Sequence, residues 1–274
     1  MIKKTTHMLR PKQYEKYFTP EQIRVKTQEC LETSKDWRWE PDNHPEKMYQ
    51  TFRKQIKGMS MILDELVFFD VGAAEGCYSC SVIEFCHKAT IVAFEPDRPR
   101  NERFKQNADF YIEHFQRDKD KINIDIYESV LSDTTGQKID LRHYMCPDTH
   151  GGAGSSRCGG IELPNRHAVD ISYASTTLDD YIKDYAKVDV VKIDVEGAEA
   201  AVLRGAQKFL EKFKPIIFLE VHVDKSFGGV TFKDVWDIVS KYNVDYDPRL
   251  IKAFDGKIEY HVFIPRKIER GDLG

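Results

Sequence analysis

Asp194 and Glu196 in the segment VVKIDVEGAE, and Glu220 and His222 in FLEVH, are side chains of the kinds that move protons or hold cations. An imidazole titrates near neutrality, so His222 is the first candidate for a general base, and Asp194 is the second. A carboxylate such as Glu196 or Glu220 could instead orient a reacting group or hold a divalent ion. All four have metal-ligand chemistry, but one turn and one strand leave coordination open. A buried Asp–Lys or Asp–His pair tying strand ends together would use the same residue types.

A second constellation is FFDVGAAEG, with Asp70, Gly72 and Gly76 at a strand-to-helix turn. The spacing is D-x-G-x-x-x-G, unlike the G-x-G-x-x-G of dinucleotide sites, which brings pyrophosphate against bare backbone NH groups. Asp70 and Glu75 would repel phosphate but tolerate a cationic ligand with an amino group, such as S-adenosylmethionine. Glu95 follows Gly76 by 19 residues and ends the next strand, where an acid can accept both hydroxyls of a ribose. Alone, each feature is also compatible with an ordinary turn or a solvated strand-end carboxylate.

These residues need a scaffold that brings strand ends together. Short apolar runs, LVFFDV (66–71), TIVAFE (90–95), INIDIYESV (122–130), VDVVKIDV (188–195) and PIIFLEVH (215–222), alternate with helical segments. Near-continuous apolar strands separated by helices imply a parallel sheet covered on both faces. Helices are expected from Gly76 to about Lys88, from about Arg98 to Phe115, from Thr177 (with Asp180 at capping-box spacing), from Ala198 to about Phe213, and over 231–242. RLIKAF, Asp255-Gly256 and KIEYHVFIP read as an antiparallel hairpin. The expected fold is α/β: a doubly wound, mostly parallel seven-stranded sheet closed by that hairpin.

Residues 1–65 are polar, broken by Pro11, Pro20, Pro41 and Pro45, and form an expected helical extension anchored by Trp37, Trp39, Tyr49 and Phe52. Residues 66–274 form the expected main domain, with a glycine-rich lid loop at 147–161. Trp37 and Trp39 could stack on a sugar or simply anchor the extension. His143, His150 and His167 flank the loop and could serve an acceptor.

The chain has 274 residues, 41 Lys+Arg against 45 Asp+Glu and a net charge of -4, which argues against binding held mainly by phosphate neutralisation. With 41% hydrophobic residues it can bury a core; no apolar run reaches the ~20 residues of a membrane span. The first residues carry positive charge without an apolar stretch behind it, so a cytoplasmic location is expected. Cys77 and Cys80 form one CxxC with no second pair at zinc spacing, and they read as cysteines of a buried helix.

Taken in order, DVGAAEGCYS (70–79), AFEP (93–96), VLSD (130–133), TLDDY (177–181), KIDVEGAEAAVLRG (192–205) and FLEVH (218–222) resemble the FkbM family of S-adenosylmethionine-dependent O-methyltransferases. KIDVEGAE is the specific part. Two positions depart from the family pattern: Ala74 stands where Asn is usual and Val130 where Ala is usual. The resemblance implies S-adenosylmethionine as cofactor, with Asp70, Gly72 and Gly76 at its methionine end, Glu95 at the ribose and Glu128, Ser129 and Val130 near the adenine. Ala73, Pro96 and Asp194 are further expected cofactor-binding residues. Tyr78 and Ser79 could contact the carboxylate or serve packing. The implied acceptor is a hydroxyl of a sugar, glycan or natural product. From the residues themselves a divalent metal is possible but not predicted, and no nucleic-acid partner and no membrane span are expected. Two alternatives stay open: a nucleic-acid 2′-hydroxyl methyltransferase, suggested by Lys192 beside Asp194 and Glu220, and a non-catalytic cofactor-binding module.

Overall fold

The structure, a computed structural model, describes residues 47–145, 157–158, 167–224, 229–254 and 256–266. Its centre is a seven-stranded sheet of β1 (Leu66–Val71), β2 (Ala89–Phe94), β3 (Ile122–Tyr127), β8 (Val190–Ile193), β9 (Ile216–His222), β10 (Tyr246–Phe254) and β11 (Ile258–Pro265). The strand order is β10-β11-β9-β8-β1-β2-β3. The five strands from β9 to β3 are parallel, while β11 runs antiparallel to β9 and β10 antiparallel to β11. The order reverses between β1 and β8, and a crevice opens at such a point beyond the carboxyl ends of the strands.

The central strands are buried on both faces, which is why their sequences read as unbroken apolar runs. Along β1, Leu66 and Phe68 enter one core while Val67, Phe69 and Val71 enter the other. The first core lies under α1 (Lys47–Ser60), α2 (Cys77–Phe85) and α3 (Arg98–His114). Phe52 of α1 is fully buried, with its ring 5.2 Å from Phe68, 4.9 Å from Tyr78 and 5.1 Å from Phe218. Tyr49 is also buried, so two of the four expected aromatic anchors pack into the core; Trp37 and Trp39 lie outside the described residues. The second core lies under α4 (Glu199–Arg204), α5 (Gln207–Phe213) and α6 (Phe232–Val239). Cys80 is buried in α2 and Cys77 is half-buried, consistent with core cysteines.

Four elements differ from expectation. The run 122–130 is not one strand: β3 stops at Tyr127, and Val130–Leu131 form β4 of a second sheet. That sheet has the order β4-β7-β5-β6, with β5 at Lys138–Met145, β6 at Arg157–Cys158 and β7 at His167–Thr176. Residues 157–158 of the expected lid are therefore a strand, and the rest of 147–161 lies outside the described residues. The helix at Thr177 is a single 3-10 turn, Leu178–Tyr181, in which the Asp180 carboxylate accepts the Thr177 backbone NH at 2.9 Å.

The expected helix over 198–213 is two helices, and Asp179 is the reason. In a continuous helix the Phe209 NH would donate to the Gly205 carbonyl. Here the Asp179 backbone NH donates to Gly205 O at 3.0 Å, and the Phe209 NH donates to Asp179 Oδ1 at 2.8 Å. One residue of the preceding turn thus takes both groups. Among the described residues no helix is long and apolar enough to cross a membrane.

Candidate active site

The cleft opens where β1 and β8 end side by side. Gly72 has φ of 75°, and a Cβ there would lie 1.7 Å from the Asp194 carbonyl oxygen. Only glycine lets the turn after β1 pass this close to the end of β8. Gly76 has φ of 80°, and a Cβ would strike the Phe104 ring at 2.3 Å, so its role is to seat α2 against α3. Between them Ala74 is left-handed, φ 48°, a conformation that Asn and Gly adopt more readily than Ala. Its backbone NH donates to Glu95 Oε2 at 3.0 Å, and the Asp97 NH donates to Glu95 Oε1 at 2.8 Å. Glu95 is 4% exposed, and burial pushes its pKa up to about 7 despite the nearby Arg100. Each carboxylate oxygen has two acceptor directions, so the two amides fix Glu95 and leave capacity for a ligand's hydroxyls.

Gly72, Glu95, Pro96, Ser129, Val130 and Asp194 line this cleft, together with Val71, Phe94, Leu131, Leu141 and Glu196. The wall is shared between sheets: Val130, Leu131 and Leu141 belong to the second one. Tyr173 of β7 buttresses it by donating its hydroxyl to the Pro96 carbonyl at 3.1 Å. Arg100 and Ala198 also line the cleft and were not singled out by sequence.

Other candidates stand one layer away. Asp70 is fully buried, accepts Ser79 Oγ at 2.6 Å and lies 3.7 Å from Lys192 Nζ. Burial raises the Asp70 pKa, with Lys192 and Ser79 opposing the rise. Lys192 also donates to the Gly72 carbonyl at 2.7 Å, pairs with Asp194 Oδ2 at 3.3 Å and lies 5.2 Å above the Tyr78 ring. Burial works against this cation, but Asp194, Asp70 and Glu220 hold its pKa above the ordinary value. Asp70, Ser79, Tyr78 and Lys192 thus brace the turn from below. Ala73 is buried in the first core, and Glu128 lies beside the cleft lining with a pKa that burial raises to about 6. Glu75 lies 3.7 Å from Arg100 Nε. The acids that line the cleft, and so could repel phosphate, are Glu95, Asp194 and Glu196; Asp70 and Glu75, expected in that role, are not part of its lining.

At the edge of the cleft the structure brings Asp194, Glu196, Glu220 and His222 together. β8 and β9 are paired with Ile193 opposite Leu219, which sets Asp194 beside Glu220. His222 Nε2 lies 3.5 Å from Glu220 Oε1, 3.8 Å from Glu196 Oε2 and 4.0 Å from Asp194 Oδ1. Its Nδ1 is 2.8 Å from Glu199 Oε1, which also accepts the Gly197 NH at 2.9 Å. Burial would depress the imidazole pKa, but the hydrogen bond to Glu199 and the charges of Asp194, Glu199 and Glu196 outweigh it and hold it above its ordinary value. Glu199 was missed from sequence; its signal is a carboxylate opening the helix that follows the strand end. Glu196 and Gly197, which connect β8 to that helix, both have positive φ, 55° and 103°. The side chains of His143 and His167 and the whole of His150 lie outside the described residues.

The family described as the methyltransferase FkbM domain matches residues 70–246, from the end of β1 to the start of β10. No curated protein matches the chain. Among solved structures, a methyltransferase FkbM from Methylobacillus flagellatus KT is similar at TM-score 0.50 and 15% identity, over 89% of this chain and 58% of that one. This chain thus spans a little over half the length of that relative. A precorrin-6y C5,15-methyltransferase from Geobacter metallireducens GS-15 gives TM-score 0.43 and 10% identity, over 79% of this chain and 88% of that one. The matched segment holds the glycine turn, Glu95, the Asp194 strand end and His222, and covers more than half of the chain. This chain belongs to the FkbM methyltransferase family.

Proposed function

We propose that the chain is an S-adenosylmethionine-dependent O-methyltransferase whose acceptor is a hydroxyl of a sugar, glycan or natural-product small molecule. The observation that carries this reading is the buried Glu95, pinned by two backbone amides at the lip of a cleft that combines an apolar wall with acids. A carboxylate so held suits two vicinal ribose hydroxyls. Phe94, Val130, Leu131 and Leu141 suit a flat base, and the Gly72 turn with Asp194 suits a cationic amino-acid end.

When bound, the cofactor supplies a sulfonium methyl, which passes to the acceptor oxygen as the carbon–sulfur bond breaks with its electron pair going to sulfur. The chain's part is positioning, which can contribute ~7–11 kcal/mol when the reacting atoms are held in line. It must also accept the hydroxyl proton. Asp194 and Glu196 line the cleft and are the members of the acid–imidazole cluster that reach the acceptor. His222, 2% exposed and anchored by Glu199, backs them.

Calorimetric titration with S-adenosylhomocysteine and, separately, NADH tests the reading on wild type and Glu95→Ala. Micromolar binding of the former alone, weakened at least tenfold by the substitution, is expected. Absence of S-adenosylhomocysteine binding to the folded wild type would overturn it.

A further inference from the structure

We propose that Asp194, Glu220 and His222 bind one divalent cation of the Mn2+ class at the edge of the cleft. One ligand atom from each lies within 4.8 Å of the others, with His222 Nε2 at 3.5 Å from Glu220 Oε1 and 4.0 Å from Asp194 Oδ1. Two atoms bound to one octahedral ion at ~2.1 Å stand ~3.0 Å apart when adjacent and ~4.2 Å when opposite. Both separations from His222 fall in that interval.

A second observation singles out the imidazole as a ligand. Glu199, fully buried, fixes Nδ1 at 2.8 Å and is itself held by the Gly197 NH, so Nε2 is aimed at the carboxylates. A carboxylate behind a histidine, fixing its tautomer and raising its basicity, is the usual support of a metal-bound imidazole. Among the described residues Glu199 Oε2 is buried without a hydrogen-bond partner, a cost that a cation's field on the far side of the ring would offset. The site also concentrates negative charge: Asp194, Glu196, Glu199 and Glu220 surround one ring, while Lys192, the nearby cation, is shared with Asp70. Two oxygens and one nitrogen suit an ion that takes mixed ligands, such as Mn2+, better than Mg2+, which takes oxygen almost alone.

Asp194 lines the cleft, so the ion faces the acceptor with positions left open, and Glu196 stays outside the ligand set as the proton acceptor. There the ion lowers the pKa of a bound hydroxyl. This catalytic role rests on the methyltransferase reading; cation binding does not.

The test is Mn2+ titration of the chelator-treated full chain without cofactor, followed by the electron paramagnetic resonance of free Mn2+, with S-adenosylhomocysteine titrated in parallel. One Mn2+ per chain is expected, with nitrogen hyperfine coupling from the imidazole. Glu220→Gln and His222→Gln lower the affinity at least tenfold, and Glu199→Gln, which disturbs positioning, about 10- to 100-fold. The coupling vanishes in His222→Gln and persists in Glu199→Gln. Wild type that binds no Mn2+ at millimolar concentration, or binds it without nitrogen coupling, overturns the site even where a variant fails to fold. S-adenosylhomocysteine binding without Mn2+ binding overturns the metal site alone; the converse overturns only the methyltransferase reading.

Discussion

Glu95 is the residue at which pH should report on ligand binding. Its ordinary pKa is 4.5, and burial lifts it to about 7, so near neutrality the unliganded protein is divided between neutral and ionised forms. Only the ionised carboxylate offers all its lone pairs to ribose hydroxyls. Affinity for S-adenosylhomocysteine should therefore rise with pH up to about 7 and then level, a gain of about tenfold between pH 6 and 8. Glu95→Gln should bind more weakly and with a flat profile; an unchanged slope in that variant would assign the titration to another group. The sign for folding is opposite. The folded chain keeps a proton that the unfolded chain has lost, so Glu95 erodes stability as pH climbs from 4.5 to about 7. Asp194, Glu220 and His222 could be seen at strand ends in the sequence because strands announce themselves. Arg100 could not, because a helix gives no sign of which charged side chain faces inward, and Glu199 was marked only by its place at the start of a helix.

Between elements, Gly205 stands where α4 and α5 divide and packs closely on the Ser132 backbone. A Cβ there would lie 2.1 Å from the Ser132 carbonyl oxygen, a backbone atom that cannot swing away. Gly205→Ala is expected to cost about 2 kcal/mol or more by overpacking, lowering the thermal midpoint by about 5 °C. Gly58→Ala, where nothing lies within 4 Å in the body of α1, should instead raise it slightly. Equal effects of the two substitutions in differential scanning calorimetry would contradict the contact. The same region marks the limit of sequence patterning. Ala201, Val202, Ala206, Phe209 and Leu210 share one helical face in the sequence, yet Asp179 breaks the run by bonding across it. The second sheet was overlooked for a different reason. In β7, Ile171, Tyr173 and Ser175 are buried while Asp170 and Ala174 are exposed. Such alternation is the mark of a strand covered on one face, and it has no continuous apolar run to catch the eye.

At the scale of the whole molecule the cleft joins two sheets, and this has an observable consequence. Gly72, Glu95 and Asp194 belong to turns of the seven-stranded sheet, whereas Val130, Leu131 and Leu141 come from the four-stranded one. The sheets meet through the Tyr173 hydroxyl on Pro96 and through the short connection from Tyr127 at the end of β3 to Val130 at the start of β4. A ligand filling the cleft bridges both and must slow opening of either. S-adenosylhomocysteine should increase amide protection in the turns after β1 and β8 and, in the same concentration range, at Leu131, Ser132 and Leu141. At a hundredfold excess over its dissociation constant it adds ~2.7 kcal/mol to any opening that releases it, about a hundredfold in exchange rate. Protection confined to the first sheet would mean that the ligand leans on only one wall. The shared wall of Val130, Leu131 and Leu141 would then owe its apolar character to packing between the sheets alone.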